Sequence, residues 1–71
     1  MKEYVVIYEQ GEHNWGAIVP DLPGCASIGD TLEQVQENVK EAIEIYLEEL
    51  QERGEPVPES RHHISNVVVA A

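Results

Sequence analysis

The feature that most constrains this chain is the run over residues 30–54, which reads as one long amphipathic helix. Leu32, Val35, Val39, Ala42, Ile43, Tyr46, Leu47 and Leu50 recur at i, i+3, i+4 and i+7, the spacing of a helix with one buried stripe. Its start is marked twice, because Asp30 with Glu33, or Thr31 with Gln34, can each form a capping box. Its stop is marked by Arg53 in the last turn, Gly54 just past it and Pro56 beyond. At 1.5 Å per residue such a helix is roughly 33 Å long. That length crosses a small domain, so the remaining segments must pack against the apolar stripe.

The opposite side of the same helix is the most unusual part of the sequence. With residues placed at steps of about 100°, the core positions fall between roughly 180° and 320° from Glu33. Glu33, Glu44, Glu37, Glu48, Glu41 and Glu52 fall between roughly 0° and 100°, so six glutamates form one stripe. Like charges four residues apart destabilise a helix by a few tenths of a kcal/mol per pair, roughly, and Lys40 is the only cation close enough to relieve part of this. One reading is a solvated face that keeps a small protein soluble. The other is a docking surface for a basic partner, with these six side chains as candidate contacts.

Seventy-one residues are expected to make one domain spanning the whole chain, with a marginal core because a short chain buries little of its surface. A net charge of −10, from 4 Lys and Arg against 14 Asp and Glu, argues against direct binding to DNA, RNA or anionic membrane. The single cysteine, Cys25, rules out an internal disulfide and suits a reducing cytoplasm. The longest N-terminal apolar run, residues 4–8, is too short for a signal peptide or a membrane span.

In chain order, Tyr4-Val5-Val6-Ile7-Tyr8 reads as a strand, apolar on both faces and therefore central. Residues 10–14 form a hairpin loop containing Gly11, and residues 15–19 a second strand. Trp15, Ala17 and Val19 point one way along it; Gly16 and Ile18 point the other. Pro23-Gly24 fits the centre of a type II turn, and residues 25–28 make a short third strand. After the helix, residues 55–60 read as an extended surface connector, and residues 64–71, with Val67-Val68-Val69, as a terminal strand. The order is β-β-β-α-β: an α+β fold in which an antiparallel meander is covered on one face by the helix. The terminal strand would leave an apolar edge, so the chain is expected to be a homo-oligomer, joined through edge strands or through Trp15 and Ile45.

These residues resemble the HicB-type antitoxin family. The resemblance is carried by Val19-Pro20-Asp21-Leu22-Pro23-Gly24-Cys25, by Ser27 with Gly29-Asp30-Thr31-Leu32-Glu33, by Asn38, Glu41-Ala42-Ile43 and Tyr46-Leu47-Glu48, and by Gly54-Glu55-Pro56-Val57-Pro58. It covers nearly the whole chain. It implies a partial ribonuclease-H-like fold and a function: neutralising a HicA-type toxin, a small basic ribonuclease that cleaves messenger RNA, by covering its RNA-binding surface and catalytic histidine. The charge of −10 suits a basic partner. Many family members carry a helix-turn-helix or ribbon-helix-helix DNA-binding domain after this fold. This chain ends at Ala71 and is read as a short form without one. A stand-alone homo-oligomeric binding module of the same fold, with no toxin, is the alternative.

Ribonuclease-H-type catalysis needs carboxylates converging on two metal ions about 4 Å apart. Residues 4–8 supply none, and Asp21 and Asp30 sit where aspartate caps turns. Neighbouring His62 and His63 would point to opposite sides of a strand, which reads as a solvated pair and not a metal site. Cys25 reads as a small buried residue and not a nucleophile. No enzyme activity, metal or cofactor is expected. Trp15 reads as core or sheet-face packing, with an interface anchor as the alternative. Ile45 lies off the core stripe at about 120°.

Overall fold

The structure, a computed structural model, describes residues 2–71. Three strands precede one helix: β1 (Ile7–Gln10), β2 (Trp15–Ile18), β3 (Ala26–Gly29) and α1 (Leu32–Glu52). The strands pair antiparallel in the order β1-β2-β3. Ile7 lies opposite Ile18 and Gln10 opposite Trp15, and β2 continues to β3 with Trp15 opposite Gly29 and Ile18 opposite Ala26. The α+β meander with a helix on one face is thus present.

The helix is 21 residues long, and of the two capping boxes it uses the second. Thr31 Oγ1 accepts the Gln34 N–H at 3.1 Å, while Gln34 Oε1 reaches back to the Asp30 N–H at 2.9 Å. At the other end the Gly54 N–H donates to Gln51 O and the Glu55 N–H to Leu50 O. That is the bonding of a Schellman stop, which satisfies carbonyls the helix would otherwise leave open.

Alternation along the strands places Tyr8, Ala17, Ser27 and Trp15 on the face under α1, with Val35 and Val39 of the helix against them. Ala17, Val19, Leu22, Cys25, Val35 and Val39 form the buried cluster, ringed by half-buried Trp15, Leu32, Ala42, Ile43, Tyr46 and Leu47. Trp15 is therefore packed on the core. Helix and sheet approach closely at Gly29, where an added Cβ would stand 2.6 Å from the Val35 backbone nitrogen. Two side chains tie the layers: Asn38 Nδ2 donates to Ile28 O at 2.9 Å, and the Tyr46 hydroxyl to Pro23 O at 3.0 Å.

Between β2 and β3 the chain makes two successive turns. The Leu22 N–H donates to Val19 O and the Cys25 N–H to Leu22 O, and Gly24 takes the positive φ of 81° that a type II turn requires. Leu22, between the turns, is fully buried.

The sheet differs from the expectation in two places. The first strand begins at Ile7, not Tyr4, and lies at an edge, not in the centre. Its partner strand ends at Ile18: the Val19 N–H faces the other way, to Cys25 O, and Pro20, which follows, has no N–H to offer β1. Residues 4–6 therefore run on without a ladder. The second difference is the terminal strand: residues 55–71 contain no strand, so the order within the chain is β-β-β-α. Among the described residues, no backbone–backbone hydrogen bond joins 56–71 to the rest. A strand needs an open edge in register with it, and the tail is instead fixed by side chains. The Tyr4 hydroxyl donates to Pro58 O at 2.6 Å, Lys2 pairs with Glu59 at 3.2 Å, and the carboxylate of Asp21 gathers residues 60–62.

Candidate interaction surfaces

The acidic stripe is fully displayed. Glu33, Glu37, Glu41, Glu44, Glu48 and Glu52 are all exposed on α1, opposite the side that packs on the sheet. Among the described residues none of the six makes a salt bridge, and Lys40 pairs with none of them. Among the described residues the face is thus a ladder of carboxylates without a paired cation. It offers acceptors at i, i+4 spacing along nearly the whole helix, suited to Lys or Arg side chains of a partner.

The outer face of the sheet carries an isoleucine patch. Ile7, Ile18 and Ile28 are 47, 52 and 67% exposed on the outer sheet face. Ile7 stands directly across from Ile18, and Ile18 from Ala26. The isoleucine patch, with Glu9 on the same face, and the glutamate stripe therefore lie on opposite sides of the molecule. Only the Gly16–Ile18 half of this patch was visible from alternation; Ile7 was read as a buried position of a central strand. Ile45, off the core stripe, is 50% exposed.

A third feature was not foreseen. Asp21 lies in the double turn, yet its carboxylate does not cap that turn. Oδ2 accepts the Arg61 N–H at 3.1 Å, with Ser60 Oγ at 3.5 Å, and Oδ1 accepts from His62 Nδ1 at 2.7 Å. Only 4% of the Asp21 side chain is exposed. Burial alone would push this carboxyl up. The hydrogen bonds from His62 and from the Arg61 amide, with the charge attraction to His62, outweigh it and hold Asp21 below its ordinary value of 3.8. The bond orients the His62 ring and joins segments 41 residues apart. No local sequence signal marks such a contact. His63 remains exposed.

Open clefts lie on both sides of this tail. One of about 580 Å³ separates Glu3, Tyr4 and Val5 from Ser60, His62, His63 and Ile64. The other, about 400 Å³, lies under Pro20, Asp21 and Pro23. Cys25 is buried and its thiol is pushed up by that burial, the condition of an inert packing residue. Among the described residues no three His, Cys, Asp or Glu side chains gather as metal ligands, and no helix is long and apolar enough to cross a membrane.

Comparison with known proteins assigns the chain to a family. Residues 4–70 match the model of the HicB_like antitoxin of bacterial toxin-antitoxin systems. A 14.9 kDa protein of the rep-hol intergenic region of Haemophilus phage HP1 is 40% identical over 57 residues, covering 80% of this chain but 43% of the phage protein. A UPF0150 protein of Synechocystis is 43% identical over 56 residues, 78% of this chain and 71% of the relative. One of Thermoplasma acidophilum is 39% identical over 57 residues, 79% of this chain and 83% of the relative. No solved structure matches the chain. With a family match over nearly its whole length, on a meander-and-helix fold, the chain belongs to the HicB-like antitoxin family of bacterial toxin–antitoxin systems.

Proposed function

We propose that the chain neutralises a small basic toxin of the HicA type, an mRNA-cleaving ribonuclease, by docking it on the acidic face of α1. The observation that carries this reading is the row of six exposed glutamates that pair with no cation among the described residues, in a family of antitoxins. A surface that binds RNA presents Lys and Arg to phosphates. A ladder of carboxylates at helical spacing satisfies the same cations, so the antitoxin competes with RNA for one surface. Cations placed against Glu33, Glu37 and Glu41, and against Glu44, Glu48 and Glu52, also relieve the repulsion within each series. In this reading the chain acts in the cytoplasm as a homo-oligomer, by binding and not by catalysis, and does not contact DNA itself. RNA incubated with the purified chain and Mg²⁺ is expected to remain uncut. Cleavage that survives repurification and vanishes on Asp21→Asn would show the opposite.

The direct test is co-expression with the product of a small basic reading frame adjacent on the chromosome. Rescue of growth is expected. If no such gene lies alongside, the outer isoleucine face favours the second reading, a stand-alone homo-oligomeric binding module.

A further inference from the structure

The end of the tail has a strand-forming sequence but pairs with no strand and is exposed throughout residues 64–71. Val67, Val68 and Val69 are 78, 98 and 73% exposed, and Ile64 is 68% exposed. Three consecutive β-branched residues favour extended backbone, and extended backbone without a ladder leaves its N–H and C=O groups to water. Residues 64–71 also contain no charged side chain, in a chain whose net charge is −10.

The whole molecule carries the same signature. A compact protein of 8.0 kDa exposes roughly 4,450 Å², whereas this chain exposes 5842 Å². The excess of about 1,400 Å² is larger than the roughly 800 Å² that each partner buries in a standard interface. The radius of gyration, 14.0 Å, likewise exceeds the roughly 11 Å of a compact chain of this length.

An open cleft lies beside the start of this segment. The cleft of about 580 Å³ is walled on one side by Glu3, Tyr4 and Val5 and on the other by residues 60–64. Among the described residues neither wall makes a backbone–backbone hydrogen bond; on the tail side the Arg61 N–H is given to the Asp21 carboxylate. β1, which the first wall leads into, is an edge of the sheet. The chain's own valines cannot readily fill this cleft, because Asp21 fixes residues 60–62 and Ile64 itself forms part of the wall.

We propose that the occupant is the tail of a second copy: residues 65–69 of each protomer enter the cleft beside Glu3, Tyr4 and Val5 of the other, giving a reciprocal, strand-exchanged dimer. At 3.3 Å per residue these five residues reach roughly 17 Å, enough to run along the cleft beside Glu3, Tyr4 and Val5. Charge supports a second copy at this place. The six glutamates lie on the outer side of α1, so an association through uncharged tails keeps the two acidic faces apart. The dimer leaves the acidic face free, and its existence does not depend on the toxin reading.

The experiment uses the full chain. Sedimentation velocity at rising concentration is expected to show a dimer forming in the micromolar range and strengthening with added salt, because salt screens the repulsion between two acidic chains. Val68→Lys should weaken the dimer about tenfold or more, by placing an ammonium within the paired strands. That substitution lowers the net negative charge, so its effect cannot come from added repulsion. Since Val68 is almost wholly exposed, the isolated fold should keep its circular dichroism. In a mixture of isotope-labelled and unlabelled chains, filtered nuclear Overhauser contacts are expected from Val67–Val69 methyls of one copy to Tyr4 and Val5 of the other. A chain that stays monomeric at hundreds of micromolar, a dimer indifferent to Val68→Lys, or tail contacts found only within one chain would each overturn the proposal.

Discussion

Asp21 and Gly29 show how much a single position decides here. Gly29 lets α1 rest on β3: an added Cβ would stand 2.6 Å from Val35 N and 3.0 Å from its Cα. Those are backbone atoms inside a capped first turn, so they yield only by moving the helix. Gly29→Ala is expected to destabilise the fold by about 1–3 kcal/mol, read as a lower midpoint in urea unfolding. Asp21 fixes the tail, and its carboxyl titrates below 3.8 in the folded chain. The contribution to tail fixation is therefore full above about pH 4 and is lost as the pH falls through the lowered folded value. Amide exchange at Arg61 should accelerate over that acid range in the wild-type chain, and Asp21→Ala should produce the faster exchange already at neutral pH. This pairing was beyond sequence reasoning for a physical reason. Aspartate in a Pro-Asp-Leu-Pro turn has a local use that explains it fully, and nothing at residue 21 announces a partner at residue 62.

Among the elements, those fixed by local chemistry were legible and those fixed by distant geometry were not. The helix follows from its apolar spacing and its Thr31–Gln34 cap, the type II turn from Pro23-Gly24, and the second and third strands emerge within one residue of expectation. The first strand slid by three residues at its start because its length depends on what β2 can offer opposite it, and β2 ends before Pro20. The terminal strand was read from composition alone, and composition supplies no neighbour. Of the candidate site, the glutamates' shared face was legible because it is a property of one helix. The outer isoleucine face depends on register between strands and was seen only in part. The cap gives an element-scale test: Thr31→Ala removes the acceptor of the Gln34 N–H and should destabilise the fold by about 1 kcal/mol, whereas Glu33→Gln on the same turn, which removes no capping bond, should be nearly neutral.

At the scale of the molecule, function follows from segregation. The sheet's outer face carries Ile7, Ile18 and Ile28, the end of the tail carries Val67, Val68 and Val69, the helix's outer face is acidic, and the small core between sheet and helix holds them in place. The two proposed associations therefore respond oppositely to salt. Self-association through uncharged strands strengthens as repulsion is screened, while capture of a basic toxin weakens as attraction is screened. The most direct test of the central claim is the association rate of the toxin with the chain in which Glu37, Glu41 and Glu48 are all changed to Gln, measured from low to high ionic strength. The isolated variant should stay folded, with unchanged or slightly higher stability, because like charges at i, i+4 are removed. Its association should be slower by about tenfold at low salt, and its salt dependence visibly flatter. A variant that binds the toxin with unaltered rate and affinity at low salt would contradict the claim and move the docking surface to the isoleucine face of the sheet.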